Sequence, residues 1–239
     1  MAADSDWRSE APLNLVFDAD DTLWDSNIHF LEAEADFVAA LEEAGVSTDS
    51  AKVRAAIRRS ELEIIRSDGY GRRQYVMALC RVTRELAPPK LHARVFPIVE
   101  EIGERLTNRH CGLLPGVEPT LAQLAGRHRL LLFTKGQHEE QTGKLERSGL
   151  GALFSRVDVV AEKDVAAYRR LIVEAGLKPS ASFMIGNSPR SDINPALAAG
   201  LRAVYIPHPH TWELEHEPID HSDERILSLP DFQSLLQVF

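Results

Sequence analysis

The sequence is poor in cysteine and lacks any long apolar run. Its 239 residues contain two cysteines, Cys80 and Cys111, at a spacing that suits neither a disulfide framework nor a C-x-x-C metal or redox motif. No stretch approaches the ~18 consecutive apolar residues that a membrane-spanning helix needs. Residues 1–12 are polar and acidic, without the apolar core of a signal peptide. We therefore predict a cytoplasmic protein with no membrane partner.

Basic residues are also in the minority. Lysine and arginine number 27 against 36 aspartates and glutamates, for a net charge of −9, which argues against a surface that wraps nucleic acid. Hydrophobic residues make up 44% of the chain, enough for a well-packed core. This composition predicts a globular protein with no nucleic-acid partner, and it does not indicate the oligomeric state.

Short apolar runs alternate with helical patterns along much of the chain. The runs are bounded by turn signals and predict buried strands at residues 13–18, 129–134, 157–161, 182–187 and 202–206. Apolar residues at helical spacing lie between them, at 116–126, 137–148, 164–175 and 191–199. This alternation predicts an α/β fold whose core is a Rossmann-like, doubly wound parallel sheet.

A long segment separates the first two predicted strands. Apolar residues at three- and four-residue spacing occupy residues 28–44, 49–67, 72–87 and 90–109, and glycine or proline stops follow the first three stretches. We therefore predict an inserted α-helical cap domain. The predicted division is a Rossmann-like core at residues 1–24 and 113–239 and a helical cap at residues 25–112.

Two acidic residues come directly after the first predicted strand. In an extended strand end Asp18 and Asp20 point the same way, and ligands of doubly wound sheets bind at the carboxyl ends of the strands. Two neighbouring carboxylates repel each other unless a cation lies between them or one holds a proton. The pair is typical of a Mg²⁺ site and of a nucleophile with a general acid/base. The alternative is that these side chains only cap the next helix.

Other predicted strand ends also carry polar residues. Thr134 and Lys135, at a strand-to-helix turn, suit a phosphate cradle, and Lys163 can neutralise a phosphate. Asn187 and Asp192 follow the fourth predicted strand and offer oxygen atoms to the same Mg²⁺. Each residue has a plainer interpretation as a helix cap or a solvated side chain. Their recurrence at successive strand ends favours one shared site.

Together these motifs resemble those of the haloacid dehalogenase-like hydrolase superfamily. The matching residues are, in order, Asp18-x-Asp20-x-Thr22 after Leu-Val-Phe, Thr134, Lys163, and Gly-Asn-Ser-x-x-x-Asp at residues 186–192. The match covers residues 13–207. The insertion lies between the first two motifs, where the helical-cap subgroup of phosphatases places its cap.

The resemblance implies a Mg²⁺-dependent phosphatase that acts on a small phosphorylated metabolite. Asp18 would attack phosphorus and form an aspartyl-phosphate. Asp20 would protonate the leaving group, later deprotonate the hydrolytic water, and give its backbone carbonyl to Mg²⁺. Thr134 and Lys163 would hold the phosphoryl oxygens, and Asp192 would hold the metal directly or through water.

One position departs from the family pattern and keeps alternatives open. Asn187 stands where the family commonly has Asp, so one negative charge is lost and we expect weaker Mg²⁺ binding. One alternative is therefore a non-catalytic relative that binds a phosphorylated ligand. Another is a 2-haloacid dehalogenase, which uses the same nucleophile without a metal. The position of Asp20 is usually not acidic in dehalogenases, so Asp20 favours phosphoryl transfer.

Phosphomutase and phosphonatase activities rank lower among the alternatives. A phosphonatase that works through a Schiff base would need a lysine near the substrate. Within the predicted cap the only lysines are Lys52 and Lys90. Neither stands in a pattern that indicates such a role.

Residues that select the substrate are harder to identify. The candidates are one residue after the first motif and three in a loop between cap helices: Trp24, Tyr70, Arg72 and Arg73. Packing in the core is an equally good interpretation of the tryptophan. Four histidines lie between residues 208 and 221, but their spacing suits no zinc site, so we expect a solvated acidic tail there.

Overall fold

The computed structural model describes residues 7, 12–46, 49–109 and 112–239. The chain forms two compact units, Met1–Asn27 with Cys111–Phe239 and Ile28–His110. We call them the sheet unit and the helical unit. Cys111 and most of the polar segment at residues 1–12 lie outside the described residues, and Cys80 is a free thiol.

The described part of the sheet unit contains one sheet of six parallel strands in the order β3-β2-β1-β4-β5-β6. The strands are β1 Asn14–Phe17, β2 Arg129–Lys135, β3 Arg156–Val160, β4 Ser182–Gly186, β5 Arg202–Tyr205 and β6 Ile226–Ser228. The predicted doubly wound α/β fold is confirmed. Strand β6 was not predicted because three residues are too few to show a periodic pattern.

The strand order determines where a ligand can reach the sheet. The chain continues from β1 to β2 on one side, and β4 adds to the other side of β1, so the two loops that leave β1 and β4 border the crevice at this reversal of strand order. Phe17 pairs with Ile185 of β4. The backbone N–H of Asp18 then donates to the Ile185 carbonyl at 2.9 Å. Asp18 therefore lies beside the start of the loop after β4.

Apolar side chains cover both faces of the sheet, as expected of parallel strands between layers of helices. Side chains alternate along a strand, so Leu15 and Phe17 pack on one face while Val16 packs on the other. The helices of this unit are α5 Val117–Ala125, α6 His138–Ser148, α7 Val165–Glu174 and α8 Asn194–Ala198. Residues of α5 join the cluster of Phe17, and residues of α7 and α8 join the cluster of Val16.

The described part of the helical unit contains α1 Asn27–Glu43, α2 Ser50–Asp68, α3 Arg72–Leu86 and α4 His92–Asn108. Helix α3 shows why these segments are helical, since Tyr75, Leu79 and Val82 recur at four- and three-residue spacing and are buried in one cluster. The predicted helical insertion is therefore confirmed. In the described residues, no helix of either unit combines the length and the apolar character needed to cross a bilayer.

The last residues of the chain belong to the core of the sheet unit. Phe232, Leu235 and Phe239 are buried in the same cluster as β1 and β4. The ring of Phe239 lies 4.9 Å from that of Phe183, centroid to centroid, in an edge-on arrangement that suits the charge distribution of aromatic rings. The C-terminal residues therefore contribute to the hydrophobic core.

We expect Leu235→Ala to destabilise the sheet unit. Leu235 is fully buried, and removing a buried leucine side chain costs about 2–5 kcal/mol through lost burial and the cavity left behind. Urea denaturation would measure this change. Val173→Ala is the control, because Val173 is 79% exposed. Equal effects of the two substitutions would contradict a core role for the C-terminus.

Candidate active site

The loop after β1 presents a buried carboxylate at the centre of the sheet. Asp18 is 7% exposed. Its Oδ2 accepts a hydrogen bond from Thr22 Oγ1 at 3.2 Å, and Thr22 Oγ1 also lies 3.1 Å from Asn187 Oδ1. One hydroxyl therefore bridges an oxygen of the β1 loop and an oxygen of the β4 loop.

Lys163 contacts two carboxylates at once. Its Nζ contacts Asp18 Oδ1 and lies 2.6 Å from Asp192 Oδ1. Burial raises the pKa of Asp18, and the facing Asp192 raises it further, while Lys163 opposes both effects. Burial alone would lower the pKa of Lys163, but its two carboxylate partners raise it above the usual range. The ammonium therefore stays charged between two buried acids.

The turn after β4 needs a glycine to bring Asp192 into this position. Asp192 Oδ2 accepts a hydrogen bond from the backbone N–H of Ser188 at 2.9 Å. A Cβ on Gly186 would lie 2.2 Å from the same oxygen, which is a steric overlap. Gly186 is therefore required for the close approach of the Asp192 carboxylate to the strand.

Oxygen atoms from both loops converge and suit a hard divalent cation. Asp18 and Asp192 share the ammonium of Lys163, and Asp18 and Asn187 share the hydroxyl of Thr22. Carboxylate and amide oxygens are the ligands that Mg²⁺ prefers, and positive charge relieves the repulsion between buried acids. The donor set of Asp18, Asn187 and Asp192 thus fits such an ion.

Asp20 has a separate set of partners. Its Oδ1 accepts from Trp24 Nε1 at 2.7 Å, and its Oδ2 accepts from Gln141 Nε2 at 2.8 Å. Lys144 Nζ lies 2.8 Å from Oδ1 and 2.9 Å from Oδ2. Burial disfavours the charge of Asp20, but the ammonium and the hydrogen bonds outweigh that cost and lower its pKa to about 2. Asp20 is therefore an ionised carboxylate in this arrangement.

Asp21 caps backbone N–H groups further along the same loop. Its backbone is left-handed, with φ of 60°, and its Oδ1 accepts hydrogen bonds from the N–H groups of Ser26 at 2.8 Å and Asn27 at 3.0 Å. Burial raises the pKa of Asp21 to about 7, although these bonds oppose the rise. The predicted capping alternative thus describes Asp21, whereas Asp18 and Asp20 make no such cap in the described contacts.

The predicted phosphate-binding residues take two different positions. Thr134, near the end of β2, is 1% exposed. Lys135 Nζ bonds Ser191 Oγ at 2.9 Å and contacts Glu215. In this structure the Lys135 ammonium therefore joins the β2 loop to the β4 loop and to the C-terminal segment.

Glu215 links these loops and was not predicted. Its Oε2 accepts from Ser188 Oγ and from Ser191 Oγ, each at 2.5 Å, while Oε1 contacts Lys135. The expectation of a solvated acidic tail is wrong here, because Glu215 is 7% exposed. The same expectation fails for His208, whose side chain is 10% exposed. Its Nε2 lies 3.2 Å from Asp25 Oδ1. Ion pairing to the loops draws this segment onto the sheet unit.

The substrate candidates fall in both units. Trp24 is buried in the core of the sheet unit, with its indole N–H on Asp20, so the packing interpretation describes it. Tyr70, Arg72 and Arg73 lie in the helical unit, around the start of α3. Arg72 donates to the carbonyl of Thr107 at 3.1 Å. These contacts give no direct support to a role in substrate binding.

Sequence reasoning missed three further side chains at the site: Gln141, Lys144 and Glu215. A weak signal existed for two of them, since positions 141 and 144 lie on one face of a predicted helix, three residues apart. Lysine is also scarce, with six in the chain. For Glu215 no local pattern exists, because only the fold brings it to residues 135, 188 and 191.

The chain is similar in sequence to known hydrolases. A family model described as haloacid dehalogenase-like hydrolase matches residues 14–200. A glyceraldehyde 3-phosphate phosphatase of Methanopyrus kandleri is 28% identical over 92% of this chain and 91% of its own. A phosphoserine phosphatase of Thermus thermophilus is 32% identical over 41% of this chain and 42% of its own.

A solved structure of similar sequence shares the fold. It is a haloacid dehalogenase-like family hydrolase from Xanthomonas campestris, 31% identical, with a TM-score of 0.81. The superposition covers 96% of this chain and 95% of that chain. The likeness therefore extends over both units.

We expect Glu215→Gln to destabilise the protein at neutral pH. Burial opposes the charge of Glu215, but Lys135 and the serine hydroxyls outweigh it and lower its pKa. The variant should lose about 1–3 kcal/mol of unfolding free energy. A carboxyl group whose pKa is lower in the folded protein stabilises the fold at pH values above its pKa in the unfolded chain. This stabilisation is lost as the pH falls through the pKa of the folded state. The difference from wild type should therefore shrink below the ordinary glutamate pKa of 4.5.

Denaturant titrations at several pH values would measure this difference. Glu213→Gln is the matched control, because Glu213 lies in the same turn and is exposed. A difference that does not vary with pH, or an equal loss in the control, would contradict the role of the Glu215 charge.

Proposed function

The chain belongs to the haloacid dehalogenase-like hydrolase family, and we propose that it is a Mg²⁺-dependent phosphatase. Its substrate would be the phosphoric monoester of a small metabolite. The observation that carries this proposal is the contact of Lys163 with Asp18 at the carboxyl end of the central strand. It joins a buried carboxylate nucleophile to a cation that can attract a phosphoryl group.

The similar proteins support phosphate as the group that is transferred. The relatives from Methanopyrus kandleri and Thermus thermophilus are both phosphatases by name, and the former matches nearly the whole chain. An acid at position 20 also favours phosphoryl transfer, because an alkoxide leaving group needs a proton. These names do not identify the ester, since the identities are 28% and 32%.

In the first half of the proposed reaction, Asp18 acts as nucleophile. Asp20, which is ionised in the structure, first takes up the proton of the monoanionic phosphate ester as the ester binds. A carboxylate oxygen of Asp18 then attacks phosphorus, the bond from phosphorus to the leaving oxygen breaks, and Asp20 gives this proton to that oxygen. Lys163 and Thr134 hold the phosphoryl oxygens while negative charge shifts among them. The products of this half are the free alcohol and an aspartyl-phosphate at Asp18.

In the second half, water releases the phosphate. Asp20, now ionised, takes a proton from a water molecule as that water attacks phosphorus. The bond between phosphorus and Asp18 breaks, and inorganic phosphate leaves. Asp20 then passes the proton it took from water to the departing phosphate or to solvent, so its ionised state is restored and the cycle closes.

The oxygen ligands proposed for Mg²⁺ are Asp18, Asn187, Asp192 and the backbone carbonyl of Asp20. When bound, the ion would supply positive charge that offsets the negative charge of the nucleophile and the phosphoryl group. The fit rests on the convergence of the Asp18, Asn187 and Asp192 side chains around shared partners. The cytoplasmic location predicted from the few cysteines agrees with this proposal and stays a prediction.

We expect wild-type protein to release phosphate from an aryl phosphate such as 4-nitrophenyl phosphate when Mg²⁺ is present. Asp18→Asn should abolish the release, because an amide cannot form the acyl-phosphate. Asp220→Asn is the control for loss of one aspartate charge at an exposed position. Phosphate is measured colorimetrically.

Two other outcomes would contradict the phosphatase assignment. Wild-type protein that is inert across a broad panel of phosphate esters would favour a phospho-ligand binder. Release of halide from 2-haloacids without metal would favour a dehalogenase. The panel would also narrow the substrate class.

We expect Asn187→Asp to lower the Mg²⁺ concentration that gives half-maximal activity. The substitution keeps an oxygen beside Thr22 and adds a negative charge to the proposed ligand set. Calorimetric titration with Mg²⁺ should show tighter binding as well. Asn14→Asp is the control, because Asn14 lies at the opposite end of β1. An unchanged Mg²⁺ requirement in Asn187→Asp would count against Asn187 as a ligand.

A further inference from the structure

Lys144 is a buried cation that the proposed mechanism does not use. It lies on α6, and its side chain is 3% exposed. Its Nζ reaches both oxygens of Asp20, at 2.8 and 2.9 Å, and lies 3.4 Å from Ser26 Oγ. Taking an ammonium out of water costs several kcal/mol, so an apolar side chain would fill this place more cheaply if packing were its only role.

A second residue of α6 assists Lys144. Gln141 Nε2 donates to Asp20 Oδ2 at 2.8 Å and to the backbone carbonyl of Lys135 at 3.2 Å. A Cβ on Gly136 would lie 3.1 Å from Gln141 Nε2, so the glycine after β2 leaves room for this amide. The contacts tie the position of Asp20 to the end of strand β2, which also carries Thr134.

The contacts occupy every acceptor position of the Asp20 carboxylate. Two carboxylate oxygens offer about four lone-pair sites, and the four bonds come from Trp24, Gln141 and, twice, Lys144. A free aspartate samples several rotamers. Contacts on both oxygens restrict both side-chain torsions, so Asp20 takes one orientation.

We propose that Lys144, assisted by Gln141, is a positioning residue. It holds Asp20 where Asp20 can give a proton to the leaving group and take one from water. This inference rests on the proposed phosphatase function. Because Lys144 reaches both oxygens, it can keep its bond to one oxygen when the other oxygen loses a donor and takes up the proton. General acids work only within hydrogen-bond reach of the accepting atom. Loss of the contact between Lys144 and Asp20 should therefore slow proton transfer.

The test compares two phosphate esters whose leaving groups differ in their need for a proton. A 4-nitrophenolate departs readily without a proton, whereas an alkoxide such as that of glycerol phosphate does not. Lys144→Met should lower kcat/KM for glycerol phosphate by about 100-fold, the lower range of what a positioned acid contributes, with a much smaller loss for 4-nitrophenyl phosphate. Gln141→Leu should show the same pattern more weakly. A purely structural defect would affect both substrates equally.

A double-mutant cycle on kcat/KM tests whether Lys144 acts through Asp20. Asp20→Asn alone should show the same dependence on the leaving group. Adding Lys144→Met to Asp20→Asn should cause no further loss, because the contact is already without function. Lys178→Met is the matched control, an exposed lysine of the same unit, and should leave both substrates unaffected. Thermal unfolding checks that each variant folds.

The outcomes separate this inference from the function on which it rests. An equal loss on both substrates, or a further loss in the Asp20→Asn background, overturns the positioning role while the phosphatase function stands. Wild-type protein that releases no phosphate from either ester overturns the proposed function and this inference with it.

Discussion

The site depends on the contact of one buried ammonium with two buried carboxylates. Asp18 and Asp192 come from loops far apart in sequence, and their charges would repel each other without a cation between them. Lys163 supplies that cation and touches both. The pair and its lysine explain why the loops after β1, β3 and β4 meet at one point.

Sheet topology makes this contact available. The strand order places β1 between β2 and β4, so the loops that follow these strands leave the same edge on either side of the point where the strand order reverses. Individual residues then set the distances between the side chains of these loops. Gly186 leaves space for Asp192, and Thr22 bridges an oxygen of each loop. Backbone pairing gives the coarse placement, and side-chain contacts refine it.

Three lysines contact the acidic groups of the site. Lys163 serves Asp18, Lys144 serves Asp20, and Lys135 serves Glu215, which uses half of the six lysines in the chain. Separate partners allow neighbouring carboxylates to differ in behaviour. Burial raises the pKa of Asp18, whereas the partners of Asp20 lower its pKa to about 2. The environment of each carboxylate therefore sets its protonation separately, although the two are only two residues apart in sequence.

The amino-acid sequence alone determined the alternation of strands and helices along the chain, because apolar runs predicted the strands. Polar residues at the strand ends predicted Asp18, Asp192 and Lys163 as neighbours. These inferences succeed because a motif at a strand end keeps its place whatever the details of packing. Lys144 and Glu215 had no such marker. Only the tertiary structure decided their partners, because a helix face and a C-terminal turn reach the site through space, over separations that no local periodicity records.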